Sequence, residues 1–205
     1  MKLSVVIPVW NQEELVLRAL DHIPRRNDLE VLIRDDGSTD NTYENIVKYQ
    51  TAHPELNIKI FKNGENRGVY YTLNRLLEDV SGEYFHVHNS DDYVNTKEYN
   101  RLIDRLDGSM DVLGFNLQIN DGTVWPLNEE TNRIHCAQAI RFIRKAFVDG
   151  ITYNEQMKAA SDWYYAEDMM GRNPRIVYSH KVVYMYNFPR VGSLVDLRAR
   201  GVIGE

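Results

Sequence analysis

A chain of 205 residues, 43% hydrophobic and 26% charged, has an ordinary globular composition and enough length to bury one sizeable core. Its net charge of −6 argues against a general nucleic-acid binder, which needs a basic face to neutralise phosphates. The single cysteine, Cys136, excludes an internal disulfide framework, fits a reducing compartment, and reads as a small core residue.

The apolar run at the N-terminus is short, is broken by Pro8, and precedes no small-residue cleavage site. No apolar stretch approaches the ~20 residues that span a bilayer, so a soluble, cytoplasmic protein is expected, compatible with peripheral membrane association. Leu3 to Val9 is a nearly continuous β-branched run, the pattern of a strand covered on both faces. Gln12 to Ile23 carries Leu15, Ala19, Leu20 and Ile23 at helical spacing and stops at Pro24. Glu30 to Ile33 is a second strand, and the turn cluster DDGSTDN leads into a helix from Thr42 to Thr51, with Asn41 and Glu44 at capping-box spacing. Ile58 to Phe61, a helix over 68–80, and Tyr84 to Val87 follow.

Strands and helices alternating in this way predict an α/β fold: a mostly parallel sheet with helices on both faces. Ligands in such sheets bind outside the carboxyl ends of the strands. The polar clusters fall there: Asn11 to Glu14, Asp35 to Ser38, Asn63 to Arg67, and Asn89 to Asp92. Beyond Tyr93 the spacing predicts helices over 97–106, 137–148 and 162–170. It predicts strands over 112–119, 176–178 and 182–186, a short extended piece at 123–125, and a loose tail over 194–205. No linker divides the chain, so one domain over 1–205 is expected.

Adjacent carboxylates repel, and Asp91-Asp92 at a strand end needs either solvent or a cation to be tolerable. Four polar loops converging on one edge favour the cation, and an oxygen-rich set suits Mg²⁺ or Mn²⁺. His86 and His88 alternate along a strand beside these carboxylates, which raises zinc; their strand position reads instead as packing.

The stretches VVIPVWNQEELV, IRDDGSTDNT and NRGVYYTLNRLLEDVSGEYFHVHNSDDY resemble the GT-A glycosyltransferases of family 2. Asn66, Gly68, Asn74, Gly82, Glu83 and Tyr84 keep the family spacing. Asn89 stands where an Asp is common, Leu73 where an Arg often precedes the Asn, and Leu76 and Val80 where Gly and Ala are usual. The resemblance implies the GT-A sheet with a smaller acceptor-side C-terminal part, 1–93 handling the donor and 94–205 the acceptor. It implies inverting transfer from a nucleotide-sugar, a UDP-sugar by expectation, to a hydroxyl of a saccharide or lipid-linked acceptor, assisted by Mn²⁺ or Mg²⁺.

By the same resemblance Pro8, Val9 and Trp10 shape the base pocket and Glu13 lies near the ribose. One of Asp35 and Asp36 bonds the base or ribose, Arg67 meets base or diphosphate, and Asn74 belongs to the donor site. With Asn89 uncharged, the metal falls to Asp92 and with it Asp91. Arg190 and Ser193 lie where the family has a loop that closes over the diphosphate. An inverting transferase needs a carboxylate to deprotonate the acceptor. The candidates are Asp162, at a helix start and at the family's spacing before Ile176, and Asp168, in a Glu167-Asp168 pair that matches the written motif. Trp163 is the expected sugar-stacking residue, with Tyr153, Tyr164 and Tyr165 reading as core. A sugar nucleotidyltransferase would need a Gly-rich phosphate loop after the first strand, where Pro8-Val9-Trp10-Asn11 stands. A nicotinamide enzyme would need a G-x-G-x-x-G, and none occurs. A non-catalytic sugar-nucleotide-binding protein is the remaining alternative.

Overall fold

The computed structural model describes residues 1–125, 138–158, 160–188 and 190; Cys136, Ser193 and the tail over 194–205 lie outside them. Seven elements alternate first: β1 (Leu3–Val9), α1 (Leu15–Asp21), β2 (Leu29–Asp35), α2 (Thr42–Ala52), β3 (Ile58–Lys62), α3 (Val69–Glu78) and β4 (Tyr84–Val87). β5 (Tyr93–Val94), α4 (Thr96–Asp104), β6 (Val112–Ile119), β7 (Val124–Trp125), β8 (Arg141–Arg144), α5 (Ser161–Gly171) and β9 (Ile176–Tyr186) follow.

The described strands form one sheet in the order β3-β2-β1-β4-β8-β6-β9-β5, with β7 paired to β6. The pairs β3-β2, β2-β1, β1-β4 and β6-β9 are parallel and carry the long registers, whereas β8, β7 and β5 pair antiparallel over a few residues each. Leu3, Val5, Val6 and Ile7 of β1 and Leu29, Val31, Leu32 and Ile33 of β2 have no exposed surface, which is why their sequences are apolar without alternation. α3 packs on β1 and β2, α2 on β3, α1 on α2, and α4 on β9.

The strand order steps outward from β1 through β2 to β3 and then returns to β4 on the other side of β1. Right-handed crossovers therefore carry α1 and α2 to one face and α3 to the other. The chain parts at the carboxyl ends of β1 and β4, where an α/β sheet opens a crevice.

Three local expectations are corrected. Residues 138–148 are not a helix: a 3₁₀ turn (Gln138–Ile140), β8, and a second 3₁₀ turn (Lys145–Val148) occupy them. Arg141, Phe142 and Ile143 are consecutive and all buried, because β8 fills the slot between β4 and β6 and is covered on both faces. The strands at 176–178 and 182–186 are one, β9; the polar Ser179-His180-Lys181 between them is absorbed by register shifts opposite Phe115, Asn116 and Leu117. The Asn41–Glu44 capping box does not form. Asp40 Oδ1 accepts from the Thr42 amide instead (3.0 Å), and Asn41 donates to Glu13.

Among the described residues no helix is long and apolar enough to cross a membrane.

Candidate active site

The loops after β1 and β2 are joined strut by strut. Asn11, in the left-handed region at φ 50°, donates its amide to Ser38 Oγ (2.9 Å) and accepts the Thr39 amide on Oδ1 (2.9 Å). Gln12 N donates to Thr42 Oγ1 (2.8 Å), and Glu13 Oε2 accepts from Asn41 N (3.2 Å) and Nδ2 (3.0 Å). Glu13, expected at a ribose, is thus held as a brace between α1 and α2. Val9 is buried, Pro8 is half-buried, and Trp10 stands half exposed on this edge.

Asp35 and Asp36 are both buried. Asp35 Oδ1 accepts from the Ser38 amide (3.2 Å) and hydroxyl, with Lys62 Nζ 3.8 Å from Oδ2. Asp36 Oδ1 accepts from Asn63 Nδ2 (2.7 Å) and Arg67 N (2.9 Å), and its Oδ2 from Gly68 N (2.8 Å). Both spend their oxygens on the chain's own donors, and Asp36 draws the loop after β3 against the loop after β2.

That approach requires Gly37. Its φ is +72°, and a Cβ there would lie 2.5 Å from the carbonyl carbon of Glu65 and 2.7 Å from Asn66 N. Gly37→Ala is expected to destabilise the chain by more than ~1 kcal/mol, read as an earlier midpoint in chemical denaturation. An unchanged midpoint would contradict the close packing of these two loops. Arg67 lies over Tyr71 (4.6 Å to the ring centroid). It lines a hollow of about 470 Å³ together with Lys62, Asn63, Gly64, Glu65 and Tyr71.

Asn74, expected in the donor site, joins two segments of the chain. Its Nδ2 donates to Tyr153 O and Glu155 Oε1, each at 2.9 Å, and its Oδ1 accepts from Tyr153 N (2.9 Å). The side chain is a clamp between α3 and the segment before α5, with both its amide hydrogens spent within the chain. Asn154 N in turn donates to Ser161 Oγ (2.7 Å), so the clamp sets the start of α5.

The acidic pair divides into an inner and an outer member. Asp92 has no exposed surface; its Oδ2 accepts from Tyr184 Oη (2.6 Å) and Asn89 Nδ2 (2.8 Å), and its Oδ1 from Asn187 N (2.8 Å). Burial first and the neighbouring Asp91 second push its pKa up to about 7. Asp91 keeps 19% of its side chain exposed. Its Oδ2 takes Arg190 Nη2 at 2.8 Å and Nε at 3.0 Å, while Arg18 Nη2 holds its backbone carbonyl at 3.1 Å. Asn89 uses its amide on Asp92. Below them His86 is buried between Tyr99 Oη and Ala139 O, each at 2.7 Å, and His88 bonds Asn89 O at 2.7 Å. Burial lowers their pKa values to about 3 and 4, so both are neutral packing residues.

Asp162 sits half-buried in the first turn of α5, where a negative charge is favoured by the helix dipole, and its Oδ1 lies 3.5 Å from Tyr70 Oη. Ala160, not Asp162, occupies the N-cap position, in the left-handed region. Asp168 and Glu167 are exposed farther along the same helix, as is Trp163 beside Asp162. Tyr153 is sandwiched between Tyr70 (5.9 Å) and Tyr165 (4.4 Å), so it is core.

The residue that joins these parts is Tyr186, at the end of β9. Its hydroxyl is pushed up to about 12, by burial first and then by Asp92, Asp91 and Asp162, with Arg190 opposing. Tyr186 thus lies in the negative field of the acidic pair after β4 and of Asp162, and the next residue, Asn187, is bonded through its amide to Asp92. Tyr186 reads in the sequence only as one apolar residue of a strand, its sole signal being its place at the strand's end.

The family model for glycosyl transferase family 2 matches residues 4–165. The chain belongs to this family. Similar curated proteins include a Methanococcus voltae dolichyl N-acetyl-alpha-D-glucosaminyl phosphate 3-beta-D-2,3-diacetamido-2,3-dideoxy-beta-D-glucuronosyltransferase. It is 31% identical over 112 residues, covering 49% of this chain and 34% of the relative. The poly(ribitol-phosphate) beta-N-acetylglucosaminyltransferase TarS of Staphylococcus aureus is 32% identical over 100 residues, covering 46% and 17%. The chain thus spans 34% and 17% of the length of those two relatives. The crystal structure of S. aureus TarS 1–349 in complex with UDP-GlcNAc superposes with a TM-score of 0.77 at 25% identity, covering 94% of this chain and 60% of that one. The Pyrobaculum calidifontis mannosyltransferase PcManGT, at 19% identity and a TM-score of 0.73, shares the fold.

Proposed function

We propose that this family 2 domain transfers a sugar with inversion from a nucleotide-sugar, a UDP-sugar as in the TarS complex, to a hydroxyl of a saccharide or lipid-linked acceptor. Residues 1–93 hold the donor and 94–205 meet the acceptor. The observation that carries this reading is the acidic pair after β4, with Arg190 on Asp91 and Asn187 N on Asp92, outside the carboxyl end of that strand in a chain matched by the family 2 model.

The nucleotide lies against Pro8, Val9 and Trp10, on loops whose shape Asp35, Asp36 and Glu13 maintain. Asp162 accepts the proton of the acceptor hydroxyl as its oxygen forms a bond to the anomeric carbon. The bond from that carbon to the diphosphate breaks on the opposite face, and the electron pair leaves with the diphosphate. Arg190, already bound to Asp91, supplies positive charge where that leaving group develops its negative charge. Trp163, exposed beside Asp162, borders the acceptor.

The residues fit a divalent cation of modest protein ligation. Among the described residues no three His, Cys, Asp or Glu side chains are grouped to hold one, but Asp91 presents a hard, partly exposed carboxylate. Mg²⁺-like cations use one or two carboxylates and complete their shell with phosphate oxygens and water. Of the pair expected at the metal, Asp91 is the partly exposed member and takes the first role, with Asp92 buried behind it. Bound there, Mn²⁺ or Mg²⁺ stabilises the charge of the departing diphosphate.

Calorimetric titration of UDP with and without Mn²⁺ tests this. Asp91→Asn should lose the metal-dependent gain in affinity, about tenfold or more. Retention of that gain would overturn the assignment.

A further inference from the structure

An aromatic ledge borders the carboxylates on the side away from the nucleotide loops. β7 folds back on β6 so that Trp125 pairs with Leu117, and β9 runs parallel on the other edge of β6 with Tyr186 beside Ile119. The Trp125 ring lies 6.3 Å from that of Tyr186 and 6.2 Å from that of Phe188, and the Tyr186 and Phe188 rings are parallel at 5.6 Å. Trp125 is 42% exposed.

Hydrogen bonds fix the ledge to the acidic centre. Asn187 N donates to Asp92 Oδ1 (2.8 Å), Asn187 Oδ1 accepts from Asn120 Nδ2 (3.1 Å), and Asn120 N donates to Phe188 O (3.1 Å). The Tyr186 end of the ledge is thereby tied next to Asp92, and the Trp125 end is the exposed one.

We propose that Trp125, Tyr186 and Phe188 form the platform for a pyranose ring of a saccharide acceptor. The inference rests on the transfer reading above and names where the accepting sugar lies. A pyranose has an apolar C–H face and a rim of hydroxyls. Rings take the face, and neighbouring carboxylates accept hydrogen bonds from the rim. In the sheet order the ledge strands β6 and β9 lie beyond β4 and β8 from β1 and β2, so the acceptor approaches from the side opposite the nucleotide. A bilayer is the disfavoured occupant, because the acidic pair beside the ledge and a net charge of −6 repel an anionic lipid surface.

The test is binding of the labelled chain, with UDP and Mn²⁺ present, to an array of pyranose oligosaccharides. Calorimetry of the best-bound oligosaccharide with Trp125→Ala, Phe188→Ala and Trp125→Phe follows. The two alanine variants should bind it roughly tenfold more weakly, Trp125→Phe should keep most of the affinity, and UDP affinity should be unchanged in all three. Equal binding by both alanine variants would overturn the platform. So would absence of any bound pyranose, or Trp125-dependent binding to anionic phospholipid vesicles in place of glycans. If the parent binds no UDP while Trp125→Ala still loses the oligosaccharide, the donor reading falls and the platform stands.

Discussion

Asp162→Asn is expected to slow sugar transfer by roughly 10²–10⁴-fold while leaving UDP affinity at the parent value. The asparagine keeps the shape of the side chain and can still bond Tyr70, but it cannot accept a proton at working pH. Asp162 makes none of the contacts that shape the donor loops, so its loss should appear in turnover and not in nucleotide binding. Asp168→Asn should keep most activity, because that carboxylate is on the solvent side of α5. Initial rates and UDP calorimetry on the two variants decide the matter. An inactive Asp168→Asn beside an active Asp162→Asn would reverse the assignment.

Glu30→Ala is expected to have the largest effect on stability, although Glu30 sits near the start of β2, far along the strand from the site. Its side chain has no exposed surface. Oε1 accepts from Ser4 Oγ (2.6 Å), Ser81 N (2.9 Å) and Ser81 Oγ (2.7 Å), and Oε2 from Lys59 Nζ (2.8 Å). One carboxylate thus ties β1, β3 and the turn before β4 to β2. Removing it strands the buried Ser4 hydroxyl and unties the Ser81 and Lys59 cross-links, at a cost of about 3 kcal/mol. That corresponds to a fall in Tm of roughly 6–12 °C for a chain of this size.

Desolvation by burial raises the Glu30 pKa, but the bonds from Lys59, Ser4 and Ser81 outweigh it and lower the pKa from 4.5 to about 2. The sign follows from that depression. The ionised carboxylate's contribution is complete above about pH 4.5 and is lost as pH falls toward 2. The gap in Tm between parent and variant should therefore be widest at pH 7 and narrow by pH 3. A gap independent of pH would contradict the charged-acceptor role.

The first half of the chain was legible because its structure is local. Apolar runs without alternation became β1 and β2, and helical spacing gave α2 and α3 nearly to their ends. β8 was not legible, since its burial on both faces comes from β4 and β6, which no window of sequence contains. The site divides in the same way. Asp91 and Asp92 at a strand end and Asp162 at a helix start stand where residue type and position put them. Asp36 and Asn74 have residue types suited to a ligand, yet their partners are the chain's own groups, at Arg67 and Gly68 for one and Tyr153 for the other. Which member of the Asp91-Asp92 pair faces outward depends on Tyr184 and Asn187, nearly a hundred residues on. Nothing local distinguishes them.

Anomalous diffraction from crystals grown with UDP and Mn²⁺ tests the shared site most directly. The expected result is a manganese peak in contact with the Asp91 carboxylate and the UDP diphosphate. The uridine should lie against Pro8 to Trp10, Asp92 should still be bonded to Tyr184, and Asp162 should border the open side of the diphosphate. A manganese peak on Asp92 with Asp91 turned away, or UDP bound apart from both carboxylates, would contradict it.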